Sequence, residues 1–303
     1  MKSFEELIEN IQKEKEKKVV AVVAAEDEHA IEAVVKAKET GIVEPVLIGD
    51  RNKIISIMEN LKVENMEMYE IIDKKKPIEA AEKAVEIVRE KKADFLMKGK
   101  IQTADILKVV VDKEKGLRTG RVMSHMAIHQ MDSYKKLLAV TDGGMNIRPD
   151  LEAKKQIIMN AVIAFKNMGV DMPKVALVCA VESMNPKMDE TVDAVKLMDM
   201  YKNGEITDCI LEGPISYDLV MSRKSSEIKG YSSEVVGDAD ILVVPDIASG
   251  NILGKALVYS AGAKMAGFIL GAKVPIVLTS RGSTSEEKYL SLVISAAAAI
   301  KQN

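Results

Sequence analysis

The 303-residue chain contains no tryptophan, and aromatic residues make up only 4% of it. It has two cysteines, Cys179 and Cys209, which are far apart and lie in or beside apolar runs. This spacing makes no zinc motif, and the surrounding apolar residues predict two small buried side chains. Methionine is frequent instead, with 18 residues, which indicates cores filled by flexible aliphatic side chains.

The chain also lacks a large excess of charge and long hydrophobic runs. Its formal net charge is only −3, so it has no basic field that could hold a nucleic acid backbone. The longest apolar runs, such as 19–25, are far shorter than the ~20 residues of a membrane span, and the charged segment 1–18 is not typical of a signal peptide. We therefore expect a cytoplasmic protein that binds neither nucleic acid nor membranes.

The hydrophobic pattern predicts an α/β protein with two domains. In the first hundred residues short apolar runs alternate with helix-period segments, which indicates βαβ units and a parallel sheet covered by helices on both faces. The pattern changes after Gly116, where 121–131 and 134–141 predict two strands of an antiparallel hairpin. Alternation of strands and helices then resumes, so we place a domain boundary near Ser133.

The segment Val274–Glu287 is the most informative part of the sequence. An apolar strand leads directly into Ser280, Arg281, Gly282 and Ser283, and then into a helix. The first turn of a helix offers unpaired N–H groups and the positive end of its dipole, and here a hydroxyl and a guanidinium are added. This combination predicts a site for an anion.

A second strand, loop and helix follow the same plan in residues 241–255, where the loop runs from Asp246 to Asn251. Two such loops suggest a phosphorylated ligand, because ligands of open α/β sheets bind where the strands end. Ordinary helix capping is the alternative explanation of the later loop. Both Ser283 with Glu286 and Thr284 with Glu287 fit the capping-box pattern, although capping alone requires no arginine.

With these two loops in view, the chain resembles the phosphate acetyl/butyryltransferase family, and within it the phosphate butyryltransferase branch. The resemblance covers almost the whole chain and depends on the order of several motifs. These are Lys98-Gly-Lys100, Thr103-Ala-Asp105, Gly116-Leu-Arg-Thr-Gly-Arg121, the PDxxxGN loop (Pro245, Asp246, Gly250, Asn251) and the SRGS loop (Ser280–Ser283).

The resemblance implies reversible transfer of a short acyl group, butyryl in this branch, between coenzyme A and inorganic phosphate to give an acyl phosphate. It implies a ternary complex, no metal or other cofactor, and a homodimer or larger assembly. The implied fold is a three-layer α/β/α architecture like that of isocitrate/isopropylmalate dehydrogenases. Residues 272–303 would then return to the first domain, 1–133, with 134–271 as the second domain and the active site in the cleft between them.

The resemblance also implies roles for individual residues. Arg281 would bind the phosphate, Ser280 would donate to the developing negative charge, and Glu287 would act as general base for the thiol proton, unless it is only a capping residue. Lysines and other polar groups at strand ends would bind the substrates. These candidates are Lys98, Lys100, Thr103, Arg118, Asp246, Asn251, Gly282 and Ser283.

Two positions depart from the family pattern. Ser283 stands where the family has a cysteine, which removes a thiol nucleophile that the mechanism does not use. Lys108 stands where many acetyltransferases have an arginine, and a lysine keeps the charge but loses the bidentate geometry.

Three rival functions remain at this point. A phosphate acetyltransferase differs only in acyl length, and a non-catalytic CoA-binding protein would need neither Ser280 nor Arg281. An NAD(P)-dependent decarboxylating dehydrogenase would need clustered metal carboxylates. The sequence shows no such aspartate cluster and no G-x-G-x-x-G motif after a strand. No metal site is predicted, because His125 and His129 on a strand would be about 13 Å apart, too far to share one ion.

Overall fold

The computed structural model describes residues 1–279 and 282–299, and the chain divides into two compact units. We call Phe4–Arg121 with Ala266–Asn303 the flanking unit, and Met1–Ser3 with Val122–Met265 the inserted unit. The predicted boundaries at 133 and 272 lie later in the chain than these. The difference arises because both strands of the predicted hairpin belong to the inserted unit, in which they pair with each other.

The elements alternate along much of the chain. The strands are β1 (Lys18–Val23), β2 (Val43–Gly49), β3 (Glu70–Asp73), β4 (Phe95–Lys98), β5 (Ser124–Gln130), β6 (Leu138–Thr141), β7 (Lys174–Cys179), β8 (Ile210–Ser216), β9 (Ile241–Val243), β10 (Lys264–Leu270) and β11 (Ile276–Val277). The helices are α1 (Phe4–Gln12), α2 (Glu28–Glu39), α3 (Arg51–Asn60), α4 (Pro77–Arg89), α5 (Thr103–Val110), α6 (Leu151–Asn167), α7 (Asp189–Lys202), α8 (Tyr217–Met221), α9 (Arg223–Lys229), α10 (Ile247–Ala261) and α11 (Ser285–Ala298).

The flanking unit is built on a sheet with the strand order β3-β2-β1-β4-β11-β10. All neighbouring pairs up to β11 are parallel, and β10 pairs antiparallel with β11. The strand order reverses beside β1, between β2 on one side and β4 on the other. A crevice at the carboxyl ends of the strands, where the order reverses, is where open α/β sheets bind their ligands.

Two groups of helices cover this sheet, because its parallel strands are apolar on both faces. Helix α2 packs against α11 and α3, and α11 also packs against α1, whereas α4 packs against α5. Asp27 caps α2 by accepting a hydrogen bond from Ala30 N at 2.8 Å, which fixes where that helix begins. The side chains of β1 from Val20 to Val23 are fully buried in the resulting core.

Within the inserted unit the strand order is β5-β6-β9-β7-β8. Strands β5 and β6 form the predicted antiparallel hairpin, and the remaining neighbours are parallel. Its core joins side chains of β6, β8, α8 and α10, among them Leu138, Ile215, Leu219 and Leu257. Cys179 and Cys209 are buried, as the sequence predicts, and burial raises the pKa of the Cys179 thiol to about 12.

In the described part of the chain, none of the helices combines the length and the apolar character that crossing a membrane requires.

Candidate active site

Two loops of the flanking unit cross each other at the carboxyl ends of β1 and β4. Gly99 N donates to Val23 O at 2.8 Å, and Lys100 N donates to Ala24 O at 2.7 Å. A Cβ atom on Gly99 would collide with the Ala24 carbonyl oxygen and lie 2.9 Å from that of Val23. The glycine between the two lysines is therefore needed for this backbone crossing at the point where the strand order reverses.

Three predicted substrate-binding residues meet in the connection from β4 to α5. Lys98 is half-buried and its Nζ donates to Gly99 O at 3.3 Å, whereas Lys100 is exposed. Thr103 is the exposed first residue of α5, so the N–H groups of the first helical turn lie beside the lysines. This connection has the charge and the donors that an anionic ligand needs.

The loop that follows β11 shares this edge of the sheet, because β11 pairs in parallel with β4. Ser280 and Arg281 lie outside the described residues, and their predicted roles stay predictions. Gly282 is exposed and Ser283 is buried. The loop ends at Thr284, which is the N-cap of α11.

Glu287 forms a capping box with Thr284. Thr284 Oγ1 accepts a hydrogen bond from Glu287 N at 3.2 Å, and the Glu287 carboxylate accepts one from Thr284 N at 3.3 Å. The capping explanation is thus confirmed for this pair. It holds the half-buried carboxylate at the start of the helix, and the role of Glu287 as general base stays a prediction.

Lys288, which the sequence analysis did not single out, is buried at the same helix end. Its Nζ donates to Thr279 Oγ1 at 2.9 Å. Burial lowers the pKa of Lys288, and the more distant charges of Asp27 and Glu287 oppose that shift. A lysine that opens the long apolar stretch of a helix is the sequence signal that could have pointed to it.

Arg118 lies in a segment tied to the turn before β11. Arg118 forms a β-bridge with Ala272, and Thr119 Oγ1 donates to Gly271 O at 2.5 Å. This turn enters β11 at its amino end, whereas the candidate loop leaves the strand at its carboxyl end. These contacts fix the backbone at Arg118, and its contact with a substrate stays a prediction.

In the inserted unit, the loop after β6 is organised by the buried carboxylate of Asp142. This carboxylate accepts hydrogen bonds from Gly144 N at 2.8 Å, from Met145 N at 2.9 Å and from Asn146 Nδ2 at 2.6 Å. Asp142 therefore stabilises its own turn, which is the capping role that such a residue favours.

The PDxxxGN loop of the inserted unit is organised in the same way. Asp246 caps α10 by accepting from Ser249 N at 2.8 Å, and this bond is the main reason why the pKa of Asp246 is lowered. Asn251 Nδ2 donates to Gly143 O at 3.3 Å. A Cβ on Gly143 would lie 2.9 Å from the carbonyl carbon of Gly250, so these two glycines allow the loops to touch.

Two buried histidines lie on β5 beside these loops. His129 Nδ1 is 3.3 Å from Leu138 O, and burial lowers the pKa of His129 to about 4. Burial also lowers the pKa of His125, whose ring packs so closely on Gly144 that a Cβ there would lie 2.8 Å from the ring. Both rings are therefore neutral at pH 7, and one nitrogen of each, His125 Nδ1 and His129 Nε2, is buried without a hydrogen-bond partner among the described residues.

The fold and the loops define an α/β protein in which a connection with two lysines lies at a strand-order reversal. A family model described as phosphate acetyl/butaryl transferase matches residues 74–296. The chain belongs to this family, which confirms the family predicted from the motifs.

The similar proteins carry both acyl specificities in their names. The chain is 41% identical over 296 residues to the phosphate butyryltransferase of Clostridium acetobutylicum, covering 98% of each chain. It is 45% identical over 279 residues to the phosphate acetyltransferase of Thermotoga maritima, covering 92% of this chain and 94% of that one. A crystal structure of a branched-chain phosphotransacylase from Enterococcus faecalis V583 superposes with a TM-score of 0.82 at 31% identity, covering 93% of this chain and 99% of that chain.

Proposed function

We propose that this chain is a phosphate acyltransferase that moves a short acyl group, preferably butyryl, reversibly between coenzyme A and inorganic phosphate. The observation that carries the proposal is the cluster of Lys98, Lys100 and the α5 N-terminus where the strand order reverses, beside the strand that leads into the family's SRGS loop. Inorganic phosphate, acyl phosphate and the phosphates of coenzyme A are all anions that such a cluster attracts.

The proposed chemistry is a direct transfer within a ternary complex. A phosphate oxygen attacks the thioester carbon, the carbonyl becomes a tetrahedral oxyanion, and collapse breaks the C–S bond and releases the thiolate of coenzyme A. Ser280 and backbone N–H groups would donate to the oxyanion, and Arg281 would hold the phosphate. In the reverse direction Glu287 would take the proton of the attacking thiol; in the forward direction it would pass to the departing thiolate the proton that the attacking hydrogen phosphate loses.

The preference for butyryl over acetyl is the finer part of the proposal. Relatives named for either acyl group reach similar identity, so identity alone does not separate them. The likeness to a branched-chain phosphotransacylase supports acyl groups longer than acetyl. We also propose a homodimer or larger assembly and an isocitrate/isopropylmalate dehydrogenase-like three-layer architecture, for which the parallel strand order and the two helix groups of the flanking unit are the support.

The first experiment measures release of free CoA thiol from acetyl-, propionyl-, butyryl- and isobutyryl-CoA, each with and without phosphate. We expect phosphate-dependent release that is fastest with the four-carbon thioesters. Fastest release from acetyl-CoA would make the chain a phosphate acetyltransferase. Release from no thioester would reject the acyltransferase and favour a CoA-binding protein without catalysis.

The same assay tests the loop after β11. Replacing Arg281 by alanine removes the proposed phosphate ligand, and we expect turnover to fall about 10²- to 10³-fold, the usual effect of losing one preorganised donor. Arg89→Ala is the matched control, because Arg89 is an exposed arginine at the end of α4. Unchanged turnover in Arg281→Ala would place the reaction elsewhere.

A further inference from the structure

Helix α10 carries almost no charge for a helix at the surface. Lys255 is the single charged residue among its 15, and its inner side packs Leu257 into the core of the inserted unit. A surface helix normally has a polar outer side, as α4 has with the exposed residues Glu82, Glu86 and Arg89. A helix that is apolar on every side is expected to be covered on every side.

The outer side of α10 is nevertheless open to solvent. Tyr259 is 86% exposed and Ile252 is 68% exposed. Ala248 and Lys255 are exposed on the same side. The four positions follow alternating steps of four, three and four residues, which line up side chains along one stripe of a helix in the spacing used when two helices pack side by side. We call these four residues the α10 seam.

The order of side-chain sizes along the α10 seam favours a second copy of the same seam. The small Ala248 lies near the beginning of the helix and the large Tyr259 lies near its end. Two copies that run antiparallel about a two-fold axis place each tyrosine opposite the alanine of the other copy, whereas a parallel pair places tyrosine against tyrosine. The antiparallel alignment also places Ile252 opposite Lys255, whose methylene stem packs well on an apolar side chain.

The α10 seam offers apolar area rather than charge. Burial of two Tyr259 rings and two Ile252 side chains would remove about 500 Å² from water, close to half of the ~1,200 Å² that a small specific interface buries. A strongly charged partner would find only Lys255 on this stripe, so electrostatic attraction does not favour one. The stripe therefore fits an apolar surface of matching shape.

We propose that two copies of this chain pair through the α10 seam, antiparallel, with Tyr259 of each copy against Ala248 of the other and Ile252 against the stem of Lys255. This pairing gives a surface to the homodimer proposed above. It does not rest on the acyl-transfer chemistry, because assembly is measured without substrates. Helix α10 begins in the PDxxxGN loop, so the interface helix also carries a motif of the family.

Sedimentation equilibrium of the full chain measures the dissociation constant of the dimer. Tyr259→Ala removes the largest side chain of the seam, and we expect the dimer to become about thirtyfold weaker. Ile252→Lys places a second cation opposite Lys255 and should weaken the dimer more than Ile252→Glu, which places a carboxylate there. Met68→Lys is the control, because Met68 is 64% exposed in the flanking unit and should leave the dissociation constant unchanged.

Cross-linking tests the direction of the pairing. The double variant Ala248→Cys/Tyr259→Cys should form disulfide-linked dimers on oxidation above the dissociation constant, because each new cysteine faces the other one across the two-fold axis. Within one chain the two positions are about 16 Å apart along the helix, too far for a disulfide. Cys179 and Cys209 are buried and do not compete. Tyr259→Cys alone should not cross-link.

Four results would overturn the inference. The wild-type chain could stay monomeric at every concentration, or its dimer could be equally strong in Tyr259→Ala and Ile252→Lys. Cross-linking of Tyr259→Cys alone would contradict the antiparallel alignment. A monomer that sediments with vesicles of equal phosphatidylcholine and phosphatidylserine would assign the α10 seam to a membrane surface. If Ile252→Lys does not fold, Tyr259→Ala and the cross-linking decide, and a failed CoA-release assay would reject the proposed function without touching this result.

Discussion

The loops after β6 and β9 in the inserted unit differ in charge from the β4–α5 connection and the start of α11 in the flanking unit. In the inserted unit, the carboxylates of Asp142 and Asp246 accept hydrogen bonds from the backbone N–H groups of their own loops. In the flanking unit, Lys288 donates to a neutral hydroxyl and Lys100 is exposed. An acid whose hydrogen bonds are already made has little left for a ligand, whereas a cation without a carboxylate partner still attracts an anion.

We expect the largest effect on stability from a substitution at the loop crossing in the flanking unit. Gly99→Ala places a methyl group against the Ala24 and Val23 carbonyl oxygens, which are backbone atoms and cannot move aside cheaply. We expect the free energy of unfolding to fall by about 3 kcal/mol, as for other overpacked sites. Urea unfolding followed by circular dichroism measures this loss.

Gly254→Ala is the control for that experiment. A Cβ at this position in α10 would meet His129 only at 3.6 Å, an ordinary contact. Because alanine is the better helix former, we expect stability to stay the same or to rise by up to about 1 kcal/mol. Equal stability of Gly99→Ala and the wild type would mean that the two loops do not cross as described.

The next largest effect is a loss of stability at low pH that arises in the inserted unit. The pKa of His129 is about 4 in the folded chain against 6.5 in the unfolded one, because the ring is buried. Between these two pH values the His129 ring is protonated in the unfolded state but not in the folded state. The free energy of unfolding therefore falls as the pH drops from 6.5 to 4, and below pH 4 it loses nothing more from this residue. At pH 5 the loss from this residue is about 2 kcal/mol.

Urea midpoints at pH 7.5 and pH 5 measure this loss. His129→Asn removes the titrating ring and keeps a donor near Leu138 O, so its midpoint should depend less on pH than that of the wild type. His29→Asn is the control, because His29 is exposed and should leave the difference unchanged. The same pH dependence in His129→Asn and in the wild type would contradict a buried neutral ring.

Periodicity alone predicted the βαβ units, the β5–β6 hairpin and the buried cysteines, because burial imposes a strong pattern on the sequence. The motifs predicted the family. They also singled out Lys98, Lys100 and Thr103, which lie together in the connection from β4 to α5. The predicted boundary near Ser133 divides the predicted hairpin, whereas the contacts keep both of its strands in the inserted unit. Lys288 was missed because whether a lysine is buried without a carboxylate depends on residues far apart in the sequence.

We expect the smallest effects on stability from the two capping residues, Asp246 on α10 and Thr284 on α11, which allow the two units to be compared directly. Asp246→Ala removes a cap and should cost about 1 kcal/mol of stability, whereas Asp246→Asn keeps a good capping side chain and should cost less. If Asp246 only caps its helix, neither variant changes the KM for butyryl-CoA or phosphate. A raised KM in Asp246→Asn would instead show that its charge contacts a substrate.

Thr284→Ala should cost a similar amount of stability and also lower kcat, because the capping box holds Glu287 beside the SRGS loop. Thermal unfolding and the CoA-release assay on both variants separate the two effects. Thr284→Ser, which keeps the capping hydroxyl, is the control and should restore both properties. Equal kcat for Thr284→Ala and the wild type would show that Glu287 needs no capping box to act, or that it does not act as the base. Asp246 and Thr284 would then both contribute to stability alone.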